Sequence, residues 1–549
     1  MPYVLARSHG RHRRRRAISS GLVVALATLT ACTSSHAPRT ADRAAVPLAA
    51  SNTPYLLSAS TDLGPSKATD VQALVSLPTT GRPTTLYHWA ATRRLQVTWH
   101  RHNMWAIVHG FAPDMAGGFA VPIHDYRARS GTLFYSAEHP AQVPGGLRGA
   151  ITGVGTISSY IPKPRTVFPG IYQDVPEGGL TPTELLNVYD ATPLSKAGDS
   201  GKGQTIVFFE IDGYRPSDLN TFARDAGLPP LKPVLDTQQP GGKAEGQETV
   251  LDLEVAHAIV PQARLVVFNM LDYLNVKSFA QLGVSIGKAY STVDRKYPGA
   301  IWSLSIILGC NRNYQPADMA PMQQALAAAL NHGSSAFVAS GDAGGFECKG
   351  GADYGDPPAE TDIGVNGLAE IPAMTSVGGT ALSTDAKGHW IDEQTWTQSA
   401  TQQGTGGGIA TNVRRPSWQR ATGISAIQNT ANRLVPDVSA DADPFTGVKI
   451  FMQGKAATGG GTSQAAPIWA AFTVQMNQYL AAHGGHPVGD INPLLYKIAA
   501  STPNAFHDIT LGGSAVYGAQ RGYDMATGLG SPNVGILAGA ILKAQGGAA

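Results

Sequence analysis

A glycine run leads into a serine at Gly459-Gly460-Gly461-Thr462-Ser463, and the residues after Ser463 stay mostly apolar to about Leu480. This spacing predicts a tight turn that delivers a serine to the start of a buried helix. Helix-terminal amides favour negative charge, and the missing glycine side chains leave room for a substrate carbonyl. A serine so placed is either a nucleophile or a plain helix cap. A nucleophile needs a base. The strongest acidic pair is Glu248 and Asp252, four residues apart and so on one face of a predicted helix over 248–259. Such a pair is ordinarily a solvated face, but Val250, Leu251, Leu253, Val255, Ala256, Ala258 and Ile259 make this helix apolar. A third motif is Ser340-Gly341-Asp342-Ala343-Gly344, an aspartate just after a buried-type strand. Alone it reads as a turn. In a parallel sheet, however, sites gather at the carboxyl ends of strands. His257 lies near the acidic pair without flanking glycines and reads as a helix residue.

The elements that must hold these residues alternate. Strand-like runs at 205–209, 263–268, 300–308 and 335–339 are separated by helical patterns at 217–226, 248–259 and 321–331. Apolar strands between helices imply a mostly parallel sheet covered on both faces. A helix is expected to start at Pro182, capped by Thr181. Residues 59–160 change to short alternating runs, with strands expected near 95–99, 105–108 and 131–135, and form a small α+β unit. Residues 161–180 are rich in proline and glycine and make a linker, and 33–58 are a flexible tether.

The 549 residues are 43% apolar and only 15% charged, which fits a globular chain and excludes a disordered polyelectrolyte or coiled coil. Six arginines fall in the first 31 residues, and the remainder holds 35 basic against 39 acidic residues. No basic patch is therefore expected, and no nucleic-acid partner. Arg11 and Arg13 to Arg16, followed by a short apolar run ending Leu29-Thr30-Ala31-Cys32, read as an export signal over 1–32. Small residues before Cys32 resemble a bacterial lipobox, so Cys32 is expected to carry lipid; an ordinary secretory signal is the alternative. The expected place is the extracellular side or envelope of a bacterium, anchored at the outer face of the cytoplasmic membrane. Cys310 and Cys348 remain. In an exported chain they suggest a disulfide, with two buried free thiols as the alternative.

Taken together, these motifs resemble the sedolisin or serine-carboxyl peptidase family, including kumamolisin-like enzymes. The resemblance runs through Gly203-Gln204-Thr205-Ile206 with Glu210, then residues 248–254, Ser340-Gly341-Asp342 and Ser376-Val377-Gly378-Gly379-Thr380. It continues through Pro416-Ser417-Trp418-Gln419, Val435-Pro436-Asp437-Val438-Ser439-Ala440, Gly461-Thr462-Ser463 and residues 523–532. It implies an α/β fold: a subtilisin-like, mostly parallel sheet flanked by helices over 181–549, preceded by a ferredoxin-like α+β prodomain. It implies that Ser463 attacks a peptide carbonyl, Glu248 takes its proton, Asp252 supports Glu248, Asp342 donates from the oxyanion hole and Glu210 extends the hydrogen-bond chain. A Glu base has an ordinary pKa of about 4.3, and an aspartate donates only while protonated, so an acidic optimum is expected. Asp62-Leu63-Gly64-Pro65 and His124-Asp125-Tyr126-Arg127 resemble the family's activation prodomain, an inhibitor until self-processing in the linker. Phe506-His507-Asp508-Ile509-Thr510 and Gly522-Tyr523-Asp524 resemble its site for one Ca2+, with carboxylates from Asp508 and Asp524 and carbonyls from Ile509 and Gly522.

Two departures stand out: Ile306 where many members carry an aromatic, and Gln520 where a glycine is usual. The substrates implied are proteins or peptides, and a monomer is expected. The rivals are a tripeptidyl-peptidase of the same family, a catalytically silent envelope binding protein, and, within the fold, an Asp-His-Ser triad.

Overall fold

Helix–strand alternation becomes a layered sheet in the computed structural model, which describes residues 57, 60–128, 131–161, 179–236, 246–349, 360–398, 403–420 and 430–547. The signal with Cys32, nearly all of the tether and most of the linker lie outside the described residues. In the N-terminal unit the strands are β1 (Thr61–Pro65), β2 (Val71–Ser76), β3 (Gln96–Thr98), β4 (Trp105–Gly110), β5 (Ile123–Arg127), β6 (Leu133–Ala137) and β7 (Gly153–Val154). The helices Thr84–Ala91 and Ala112–Phe119 separate them in the order β2, helix, β3, β4, helix, β5, but β5 does not join the sheet of β2, β3 and β4 as the expected ferredoxin-like unit would require. The sheet order is β3-β4-β2-β7, while β5 pairs with β1 and β6.

The larger unit is built on β8 (Thr205–Glu210), β9 (Val234–Asp236), β10 (Arg264–Asn269), β11 (Ile301–Leu304), β12 (Ser335–Ala339), β13 (Thr375–Thr384) and β14 (Trp390–Thr395). Their order is β14-β13-β12-β11-β8-β10-β9, with the Val438–Asp441 strand also on β13. All the pairings are parallel except β13 with β14. Side-chain alternation along each strand divides the core in two. Ile206, Phe208, Leu265, Val267 and Phe337 face the helices Glu248–Ile259 and Thr462–Ala482. Val207, Phe209, Val266, Phe268 and Trp302 face the helices Phe279–Lys296 and Ala320–Asn331. With both faces covered, these strands have no polar side to show, which is why they read as continuous apolar runs.

Thr181 caps the helix Pro182–Val188 in a reciprocal capping box with Glu184. The run 300–308 is a strand only to Leu304; beyond it the chain leaves the sheet and Ser305 turns towards the Glu248 helix. Cys310 and Cys348 are bonded, joining the chain beyond β11 to the chain beyond β12. The two units meet around Leu74, Ala280 and Ala317. Beside that contact the buried Asp318 carboxylate accepts the Thr156 amide at 2.9 Å, and Ser158 accepts the Phe279 amide at 3.0 Å. Among the described residues no helix is long and apolar enough to cross a membrane.

Candidate active site

Adjacent strands deliver three of the site residues from their carboxyl ends. Glu210 closes β8, Ser305 follows β11, and Asp342 lies three residues past β12. The others come from the two helices on one face of the sheet, which pack on each other. Glu248 opens the 12-residue helix and Asp252 lies one turn further on. Ser463 is the second residue of the helix Thr462–Ala482. Gly461 precedes it with φ 77°, a left-handed conformation that admits glycine at little cost. All of these side chains are buried.

Neither carboxylate oxygen of Glu248 closes a hydrogen bond, yet the Ser463 hydroxyl lies close enough to oppose the rise in its pKa. Burial pushes the carboxyls of Glu210, Glu248 and Asp252 well above the ordinary range. The negative charge of Asp252 pushes Glu248 and Glu210 further. Glu210 and Asp252 lie close enough to shift each other's carboxyl, although neither Glu210 oxygen closes a hydrogen bond. The three carboxyls therefore share protons as one set.

Ser305 is the residue that motif reading passed over. Its hydroxyl lies 2.8 and 3.0 Å from the two Asp252 oxygens and 3.1 Å from the Ser463 carbonyl. That carbonyl is free because Pro467, four residues on, has no amide hydrogen to give it. One hydroxyl thus links the acidic helix to the serine helix. The legible signal was Pro467 in the first turns of an otherwise continuous helix.

At the residue before Ser463, Asp342 Oδ1 accepts the Thr462 amide at 2.8 Å and the Thr462 hydroxyl at 2.6 Å. Thr462 Oγ1 in turn accepts the Gly341 amide at 3.2 Å. Asp342 Oδ2 is buried with no partner. Burial lifts this carboxyl to about 7 against the opposing Thr462 bonds. Protonated, Oδ2 is a buried donor with no acceptor of its own.

His257 is committed elsewhere: its Nε2 pairs with the Pro229 carbonyl at 2.7 Å. Among the described residues no histidine hydrogen-bonds Ser463 or Glu248, so an Asp-His-Ser arrangement finds no support. Ile306 packs in the apolar cluster under the sheet and has no side-chain donor for the acidic set.

Asp508 and Asp524 are brought together by one turn. Asp508 accepts the Gly522 amide at 3.0 Å, and Asp524 accepts the amides of Gln520, Ala526 and Thr527. Among the described residues no backbone amide is bonded to the Ile509 or Gly522 carbonyl. Burial raises Asp524 to about 6. Two carboxylates and two uncommitted carbonyls suit a hard cation. The Gln520 amide donates to Asp524, and its φ is not positive, so glycine is not required there. A separate group, Asp62, His124 and Glu138 in the N-terminal unit, is a part-exposed ion-pair cluster.

No family model matches the chain. Kumamolisin from Bacillus sp. (strain MN-32) is 32% identical over 370 residues, covering 64% of this chain and 62% of that protein. Tripeptidyl-peptidase sed1 from Aspergillus fumigatus is 29% identical over 428 residues, covering 64% of this chain and 63% of that protein. The chain therefore spans less than two thirds of the length of either relative. The solved structure of Pseudomonas sedolisin, a serine-carboxyl proteinase, superposes with a TM-score of 0.57 at 26% identity, covering 68% of this chain and all of that one. Sequence likeness and a shared α/β architecture agree: the chain is similar to the sedolisin family, with kumamolisin among the similar members.

Proposed function

We propose that the chain is an acid-acting serine-carboxyl endopeptidase, made as a proenzyme. The carrying observation is that the Ser463 hydroxyl lies against the buried Glu248, while Thr462, the residue before it, holds Asp342 with its Oδ2 buried and unpartnered. Ser463 Oγ attacks the peptide carbonyl and its proton passes to Glu248. Asp342, protonated, donates to the oxyanion, while Asp252, held by Ser305 and Glu210, stabilises Glu248 in both states. Collapse of the intermediate breaks the C–N bond, and Glu248 returns its proton to the leaving amine. Water then cleaves the acyl-enzyme by the same exchange in reverse.

The N-terminal unit acts as the inhibitor and folding template, released by cleavage in the 161–180 linker. Asp508, Asp524 and the carbonyls of Ile509 and Gly522 hold one Ca2+, which supplies a cross-link to the 520–524 turn and takes no part in the chemistry. Export with lipid on Cys32 places the enzyme at the outer face of the bacterial cytoplasmic membrane. A second reading, release of tripeptides from free N-termini, is favoured by the likeness to tripeptidyl-peptidase sed1.

The test is a pH series on the purified exported form with a mixed peptide library, beside Ser463→Ala and Glu248→Ala. Cleavage confined to acid, self-removal of the N-terminal unit, and loss of both in the variants are expected. Internal cleavage products distinguish the endopeptidase from the tripeptidyl reading. No cleavage between about pH 3 and 7 by folded protein freed of its N-terminal unit would leave a silent binding protein.

A further inference from the structure

The helix that carries Glu248 and Asp252 does not cap itself. Gln247 stands at the cap position with helical dihedrals and makes no side-chain cap bond. The first amides of a helix must nonetheless be satisfied. The first two are satisfied from about 36 residues earlier, by an aspartate just past β8. Asp212 Oδ2 accepts the Glu248 amide at 3.1 Å, and Oδ1 accepts the Thr249 amide at 3.1 Å. The Thr249 hydroxyl also donates to Oδ1. An independent feature clears the way. A Cβ on Gly246 would lie 2.2–2.5 Å from the Asp212 side chain, although Gly246 does not have a positive φ. Glycine is needed there for space, and the space is taken by Asp212.

We propose that Asp212 is a positioning residue for the reaction: its carboxylate caps the catalytic helix and holds Glu248 and Asp252 in register with Ser463 and Glu210. The proposal rests on the peptidase reading for its kinetic consequences, but not for the cap itself. Glu210 and Asp212 are separated by one residue, so the strand end that supports Asp252 from below also pins the helix start from outside. The backbone of the base is thereby tied to the end of β8.

Charge follows from the same geometry. The groups facing the site are Glu210 from β8, Glu248 and Asp252 from the helix, Asp342 from beyond β12, and the hydroxyls of Ser305 and Ser463. Every charged member is acidic. Asp212 adds a further negative charge that raises Glu210, Glu248 and Asp252 together. Its removal makes Glu248 easier to ionise, so the acid limb of kcat/KM must move to lower pH.

The test compares Asp212→Asn, Asp212→Ala and Gly246→Ala in the processed enzyme. Asn removes the charge and keeps an acceptor; Ala removes both; Gly246→Ala displaces the native carboxylate. In Asp212→Asn the acid limb is expected to move down by on the order of one pH unit with a modest loss of kcat. Asp212→Ala and Gly246→Ala are expected to lose kcat by about tenfold or more with KM little changed. A merely structural cap would leave the limb where it is in all three. An unmoved limb in Asp212→Asn, or Gly246→Ala indistinguishable from the parent, overturns the proposal. Hydrogen exchange at residues 248–252, measured in a Ser463→Ala background, is expected to quicken in Asp212→Ala. That readout needs no turnover, so an inactive parent would sink the peptidase reading alone, whereas unchanged exchange would sink the cap.

Discussion

Asp342 is the residue whose titration should be visible in the rate. Its Oδ1 is saturated by Thr462, so only Oδ2 can reach an oxyanion, and only as O–H. Burial moves the carboxyl from 3.8 to about 7. Such a group is about 99% protonated at pH 5, half protonated at about 7 and about 1% protonated at pH 9. Loss of one oxyanion donor costs about 10²–10³ in kcat. kcat/KM should therefore fall about tenfold per pH unit above about 7, then level at a floor two to three decades down. Asp342→Asn keeps Oδ1 as the acceptor for Thr462 and presents an N–H donor at every pH. Its maximum should be lower than the parent's, and the alkaline limb should vanish or move well upward. The assay is kcat/KM from about pH 3 to 9 on processed enzyme with a fluorogenic peptide, alongside melting curves to confirm folding. An alkaline limb at the same pH in parent and Asp342→Asn would refute the assignment of Oδ2 as the titrating donor.

Other outcomes follow from the same structure. Glu370 is fully buried between Asn412 and Thr411, and burial raises it from 4.5 to about 8. A raised carboxyl gives stability that is complete below the unfolded value and is lost as pH rises through the folded one. The interval corresponds to about 5 kcal/mol in full, so thermal stability should grow as pH falls from 8 to about 4.5. Glu370→Gln mimics the protonated form; it should match the parent near pH 5 and exceed it near pH 8 in melting experiments, and the opposite order would refute the argument. Ser305→Ala leaves Asp252 and the Ser463 carbonyl short of a donor, at a cost of about 1.5–3 kcal/mol by denaturant titration, with kcat falling more than KM rises. Chelation should lower the melting temperature of the parent but not of Asp508→Ala, the ligand contributing about 2.7 kcal/mol at one hundred times its Kd. Equal responses would remove the metal from this turn.

Much of the site was legible in order along the chain. Glu248 and Asp252 stood out because acidic residues at helical spacing have no reason to recur in an otherwise apolar helix unless that helix is buried. Ser463 stood out because glycines preceded it and a helix followed. The α/β alternation was equally plain, since parallel strands covered on both faces must be apolar throughout. These are properties of local spacing and burial, which a sequence carries directly.

What the tertiary structure alone decided is which distant groups complete the site. Ser305 looked like the continuation of a strand; it is a donor to Asp252 because the sheet ends at Leu304 and Pro467 leaves a carbonyl open on another helix. Asp212 carried no motif, yet it caps a helix 36 positions away. Thr462 looked like an approach to the serine, yet it orients Asp342 across 120 residues. Spacing along a chain cannot express such pairings, because a hydrogen bond depends on distance in space and on which other donors are already used. The sequence by itself determined the kinds of groups and the elements that carry them. The fold determined their partners, and with them the protonation states on which the chemistry depends.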